Sequence, residues 1–180
     1  MNLPNKLTLL RIILVPFFVL FMYLKIPYAY FYALGIFAIA SITDALDGKI
    51  ARSRNLITNF GKFLDPLADK VLVISALACF VDLGFMSAIP LIIIVAREFM
   101  VSGLRLVTAN EGVVVAAGIW GKLKTAFTMV TIVIALFLEG INFSGAGLII
   151  TILIWISTVL TIISGLVYLK GYWKYIDTDK

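Results

Sequence analysis

The sequence predicts an all-α polytopic membrane protein: six transmembrane helices with a short N-terminal interfacial helix, forming one domain over residues 1–180. Three observations predict it. Hydrophobic residues fill 62% of the 180 positions and charged residues only 14%, with a mean hydropathy of +1.09, too apolar for a soluble domain of this size. The apolar residues gather into runs of about 20, the length a helix needs to cross a ~30 Å hydrocarbon core. Of the fifteen basic residues, all but Lys25 fall at span ends or in loops on one side when the chain crosses six times with its amino terminus in the cytoplasm. An odd number of crossings would split them between the two sides.

Each element has a local reason. Pro4 to about Arg11 reads as the interfacial helix, leading into a first span that ends near Leu24 and is expected to kink at Pro16. No small-residue cleavage site follows this run, so it is not read as a signal peptide. A turn around Pro27 leads to a second span from about Tyr28 into an aspartate-rich stretch. The polar loop Ser53 to Thr58 precedes a third span opened by Gly61 and apolar as far as Val81. Asp82, Gly84 and Ser87 mark a turn. The fourth span, Ala88 to about Val107, is interrupted by Arg97, Glu98 and Arg105; a loop through Asn110 to Ala117 leads to a fifth span from about Gly118 to Leu138. Glu139 to Gly145 is the next turn, and the sixth span covers about Ala146 to Leu169 before a polar tail.

Composition narrows the chemistry. Histidine is absent, which removes imidazole bases, imidazole metal ligands and every histidine-containing triad. Proton transfer must then use carboxylate, lysine, tyrosine or water. The one cysteine, Cys79, lies in an apolar run, so there is neither a disulfide framework nor a thiolate zinc site.

The chemistry-bearing stretch runs from Asp44 to Asp69. Asp44 and Asp47 are three apart, Asp65 and Asp69 four apart, so on helices each pair shares a face. If the two helices are neighbours, four carboxylates converge on a small volume, where they must protonate or be neutralised by a cation. All-oxygen ligands suit Mg²⁺, Mn²⁺ or Ca²⁺. An aspartate at the centre of a span costs roughly 2.5–3.5 kcal/mol on insertion scales, so four unpaired ones carry a penalty on the order of 10 kcal/mol. A cluster that expensive argues for a function.

The pattern Asp44-x-x-Asp47-Gly48-x-x-Ala51-Arg52, eight residues, Gly61-x-x-x-Asp65-x-x-x-Asp69 resembles the full signature of the CDP-alcohol phosphotransferases, with every position filled. At roughly 5–8% per residue type, eight specified positions match by chance at on the order of 1 in 10¹⁰. The resemblance extends over essentially the whole chain and implies the following. Asp44, Asp47, Asp65 and Asp69 hold Mg²⁺ or Mn²⁺, two ions in all, and Asp69 is the family's proposed base. Gly48, Ala51 and Gly61 leave room for a nucleotide, Arg52 meets a phosphate, and Asn5 and Thr8, on one helical face with Arg11, help close the pocket around CDP-diacylglycerol. That face also reads as a cap and anchor of the first helix. Family members resemble homodimers with a cytoplasm-facing site. No nucleic-acid partner is expected.

The segment from Ala96 to Arg105 and the later Gly121-Lys122-Leu123-Lys124-Thr125 resemble the branch of that family whose acceptor is sn-glycerol 3-phosphate. Arg97 and Arg105 are eight apart, on nearly the same helix face, and two cations suit a dianionic phosphate; Lys122 or Lys124 adds to them. Blander readings stand beside these. Arg97 and Glu98 also read as a structural ion pair, Lys122 and Lys124 as topology signals, and Tyr168, Tyr172, Trp173 and Tyr175 as an interfacial aromatic belt. Two rival classes are a divalent-cation transporter, which has no use for the small residues and Arg52, and a membrane prenyltransferase, whose aspartate motifs lie farther apart. Acceptors other than glycerol 3-phosphate, namely serine, inositol phosphate or phosphatidylglycerol, also remain open.

Overall fold

The computed structural model describes residues 3–53, 59–110 and 118–173, with the side chains at 3–5, 44–66, 69, 109 and 110 outside the described residues. Six helices account for these segments: α1 (Leu3–Tyr23), α2 (Ala29–Ser53), α3 (Asn59–Asp82), α4 (Ala88–Asn110), α5 (Ile119–Gly140) and α6 (Ala146–Tyr172). No strand occurs among the described residues. Three of the helices are long and apolar enough to cross a membrane over Lys6–Tyr23, Ile119–Gly140 and Ala146–Tyr172, and α2 contributes a shorter apolar stretch, Ala29–Thr43. The loops expected over Ser53 to Thr58 and Asn110 to Ala117 fall largely outside the described residues, as do Lys174, Tyr175 and Lys180.

One expectation is corrected at the amino terminus. The interfacial helix read over Pro4 to Arg11 is not a separate element: it is the first turns of α1, which runs unbroken from Leu3 to Tyr23. The physical reason lies in the residues between. Lys6 to Val15 contains neither glycine nor proline, and nothing there frees the backbone from its ladder.

The chain packs as two compact units, one of Met1–Leu83 with Ile132–Ala146, the other of Gly84–Thr131 with Gly147–Lys180. In the first, α1 packs against both α2 and α3. Its buried residues Thr8, Arg11, Val15, Phe18 and Met22 repeat at alternating steps of three and four, the seam of a helix packed on neighbours. The opposite face carries exposed Leu9, Leu10, Ile13, Phe17 and Leu20. Polar groups inside and bare leucines outside invert the soluble pattern. They fit a helix whose outer solvent is lipid. Phe18 meets Phe37 of α2 with ring centroids 6.0 Å apart. The hydroxyl of Tyr23 donates to Asp82 Oδ2 at 2.8 Å, tying the carboxyl ends of α1 and α3 together.

Within the same unit the end of α5 carries Phe137 edge-on to Phe31, centroids 6.1 Å apart. Asn142 closes this helix in the left-handed region (φ 52°), and the next amide, that of Phe143, donates back to Leu138 O at 3.0 Å. In the second unit α6 repeats the lipid-facing logic. Ser157, Thr158, Thr161 and Ser164 are fully buried, while Leu148, Ile152, Val159 and Leu166 are exposed. Small residues on the buried face let helices approach closely without a hydrophobic driving force. Their hydroxyls are satisfied locally: Thr158 donates to Ile154 O at 2.8 Å and Thr161 to Ser157 O at 2.7 Å.

Candidate active site

Short connections fix where the aspartates fall. Only five residues separate α1 from α2, so the two run antiparallel, while the Tyr23–Asp82 bond makes α3 run parallel to α1. The amino end of α1, the carboxyl end of α2 and the amino end of α3 therefore share one end of the first unit. Asp44, Asp47, Gly48, Ala51 and Arg52 lie on the last turns of α2, and Gly61, Asp65 and Asp69 on the first turns of α3. Their side chains are outside the described residues, as is that of Asn5. Thr8 and Arg11 occupy the same end on α1, and both are fully buried. A guanidinium taken out of water calls for carboxylates near it.

A cavity of about 400 Å³ in the same unit lies elsewhere. It is lined by Tyr23, Lys25, Tyr30, Leu83 and Glu139 among others, at the α1–α2 turn. From Ala29 to Asp44 is fifteen residues of helix, about 22 Å. The cavity is thus far from the aspartates.

The second unit gathers the predicted acceptor residues from α4 and adds others. Arg97 is buried. One terminal nitrogen donates to Ser164 Oγ at 2.5 Å and the other to Glu98 Oε1 at 3.2 Å. Its Cζ lies 5.4 Å from the centroid of the Tyr168 ring. The Nε of Arg97 is buried without a hydrogen-bond partner among the described residues. Arg105, two turns on and exposed, places its Cζ 5.8 Å from the same ring and donates from Nη2 to the Tyr168 hydroxyl at 3.2 Å. Lys124 of α5 is buried and bonded to the other side of the cluster through Glu98 Oε1. Lys122 is exposed.

Several sequence readings change here. The ion pair between Arg97 and Glu98 exists, and it belongs to a larger group rather than standing alone. Lys124 does more than set topology, because a lysine only 7% exposed and paired with a carboxylate is part of the unit's interior. Tyr168 is not part of an aromatic belt: it is 4% exposed, and its ring lies near two guanidiniums. Trp173, 64% exposed, keeps the belt reading, and Tyr172 is half-buried with its ring stacked on Tyr168. Ser164 and Tyr168 had a signal that went unused. With Ser157 and Thr161 they form a polar line at steps of three and four along an otherwise apolar span, and polar residues inside a span are functional by default.

With the helices placed, the chain can be set beside known proteins. The profile of the CDP-alcohol phosphatidyltransferases matches residues 1–163. The chain belongs to the CDP-alcohol phosphatidyltransferase family. It is 42% identical to the CDP-diacylglycerol–glycerol-3-phosphate 3-phosphatidyltransferase of Bacillus subtilis (strain 168) over 191 residues, covering 99% of this chain and 98% of that protein. Proteins of the same name from Rickettsia bellii (strain RML369-C) and Haemophilus influenzae (strain ATCC 51907 / DSM 11121 / KW20 / Rd) are 42% and 41% identical, over 97% and 94% of this chain and 97% and 92% of theirs. As a CDP-alcohol phosphatidyltransferase the chain is an enzyme of phospholipid synthesis carrying apolar membrane helices. That sets aside the cation transporter and the prenyltransferase.

Proposed function

We propose that this protein transfers the phosphatidyl group of CDP-diacylglycerol to sn-glycerol 3-phosphate, giving phosphatidylglycerophosphate and CMP. The observation that carries the acceptor is the pair of guanidiniums, Arg97 and Arg105, gathered at one tyrosine ring. Planar forks of this kind suit a phosphate monoester, and an acceptor without phosphate has no use for them. Near-full-length similarity to three transferases named for this donor and acceptor supports the same reading.

The chain divides the work between its residues. Asp44, Asp47, Asp65 and Asp69 would hold Mg²⁺ or Mn²⁺, in all two ions: four aspartates on the last turns of α2 and the first turns of α3 offer all-oxygen donors of the kind such cations prefer. When bound, the divalent ions neutralise pyrophosphate charge and stabilise the departing CMP. Asp69 accepts the proton of the attacking acceptor hydroxyl, for which a carboxylate is the available base in a chain without histidine. The hydroxyl oxygen then bonds to the β-phosphorus, in line with the leaving CMP oxygen. Gly48, Ala51 and Gly61 leave room for the nucleotide, Arg52 binds a phosphate, and Asn5 and Thr8 bound the donor pocket. Arg97, Arg105 and Lys122 bind the acceptor's phosphate.

In the membrane the chain acts as one domain of six spans. Each helix, at 21 to 27 residues, is about 31–40 Å long, enough to cross the hydrocarbon core. The charged residues of α2, α3 and α4 belong to the chemistry, which is why those helices read as less apolar. The excess of basic residues at one set of expected span ends supports a topology with both termini and the active site on the cytoplasmic side. The protein works as a homodimer. An acceptor panel tests the function: purified protein with CDP-diacylglycerol and Mn²⁺ is offered glycerol 3-phosphate, serine, inositol phosphate and phosphatidylglycerol, and CMP release is measured. Release should follow glycerol 3-phosphate. Preference for serine or phosphatidylglycerol would overturn the assignment.

A further inference from the structure

We propose that Tyr168 is a positioning residue for the acceptor phosphate, holding Arg105 and the start of α5 in register with Arg97; the inference rests on the acceptor reading given above. Three residues of α6, within little more than one turn, serve one guanidinium. Ser164 accepts from the fork of Arg97, Gly165 leaves space for its stem, and Tyr168 lies near its planar group. A Cβ at Gly165 would come within 3.2 Å of Arg97 Cγ, so a larger residue would displace the stem.

The Tyr168 hydroxyl does a second job. Its oxygen accepts from Arg105 Nη2 at 3.2 Å and from the backbone N–H of Gly118 at 2.9 Å, using both of its acceptor positions. Gly118 immediately precedes α5, and its carbonyl accepts the N–H groups of Gly121 and Lys122. Amides at a helix start have no partner within the helix, so this bond anchors the helix that carries Lys122 and Lys124. The close approach depends on Gly121, where a Cβ would lie 3.3 Å from the Tyr168 oxygen and 3.7 Å from Arg97 Nη2. One buried side chain therefore contacts the arginines of α4 and the first residues before α5. None of these contacts requires the hydroxyl for packing, since phenylalanine fills the same volume.

Separating positioning from mere packing needs a substitution that keeps the ring. Tyr168→Phe retains the cation–π face and loses both hydrogen bonds. The KM for glycerol 3-phosphate should rise about fivefold, equivalent to about 1 kcal/mol, with kcat and the KM for CDP-diacylglycerol within twofold and the melting temperature nearly unchanged. Tyr168→Leu, which also removes the ring, should raise the same KM by a further factor of several. A readout without turnover is the thermal stabilisation given by glycerol 3-phosphate alone, which should shrink in Tyr168→Phe. Arg105→Ala serves as reference. If Arg105→Ala raises the acceptor KM and Tyr168→Phe does not, the positioning role is wrong and the acceptor reading survives. If neither variant changes it, the acceptor reading fails and this inference with it. Parallel rises in both substrates' KM would show that Tyr168 only supports the fold.

Discussion

Arg97→Lys keeps a positive charge at the acceptor cluster and removes the planar fork, so it measures what the shape of the guanidinium contributes. In the native protein the two terminal nitrogens reach different partners, Ser164 at 2.5 Å and Glu98 at 3.2 Å, and the flat group lies near the Tyr168 ring. An ammonium is a compact point donor and cannot span both partners while stacking. Losing one hydrogen bond to a charged group costs about 1.5–3 kcal/mol. Ser164 is fully buried, so water does not replace the lost partner. The fork's charge-assisted bond to the acceptor phosphate is of the same kind, and losing one such bond lowers kcat/KM for glycerol 3-phosphate by roughly 10- to 150-fold. The assay is CMP release at saturating CDP-diacylglycerol with the acceptor varied, alongside thermal unfolding in detergent. The donor's KM should stay within twofold. A lysine variant retaining more than a third of the wild-type kcat/KM would refute the argument from shape and leave charge alone as the contribution.

Other perturbations address the rest of the chain. Asp69→Asn should abolish turnover while largely sparing donor binding, measured by thermal stabilisation with CMP and Mn²⁺; activity near wild type would remove its role as base. Asp44→Asn should lose the metal-dependent part of that stabilisation, and an unaltered Mn²⁺ titration would argue against ligation. Gly140→Ala is a stability test far from the chemistry. Its Cβ would sit 2.9 Å from Phe31 Cε2, and that ring is already held by Phe137. Overpacking of this kind costs about 1–3 kcal/mol, so the melting temperature should fall by roughly 3–10 °C, with an unchanged value showing that the ring moves freely.

The helices were legible because their causes are local. Apolar runs of span length, Pro27 before α2, and Asn142 after α5 act within a few residues, and the observed bounds differ from the expected ones by three residues at most at the helix ends from Gly61 onward. No separate interfacial helix forms because the polar residues Lys6, Thr8 and Arg11, which set the first turns off from the apolar run, do not interrupt a helix that begins beside Pro4. Proline in the first turn of a helix starts one rather than stops it. The aspartate signature was equally legible, since its spacings are helical and its cost in a membrane is high. The sequence leaves Lys124 open between pocket and topology signal and reads Tyr168 as belt, for the opposite reason. A lysine or tyrosine near a span end is usually an interfacial anchor, and nothing adjacent in sequence marks either one as buried.

By itself the chain's order of residues determined that this is a helical membrane protein with four carboxylates on two successive helices and two arginines on one face of a later one. Those conclusions need only period, length and charge, which each segment carries alone. Only the tertiary structure decided that Arg97 is buried against Ser164, that Glu98 bonds Lys124, and that the Tyr168 hydroxyl joins Arg105 to the residue before α5. These partners are 26 to 67 residues apart. Which of several polar faces meet across that distance depends on how the helices rotate as they pack, and no segment carries that information on its own.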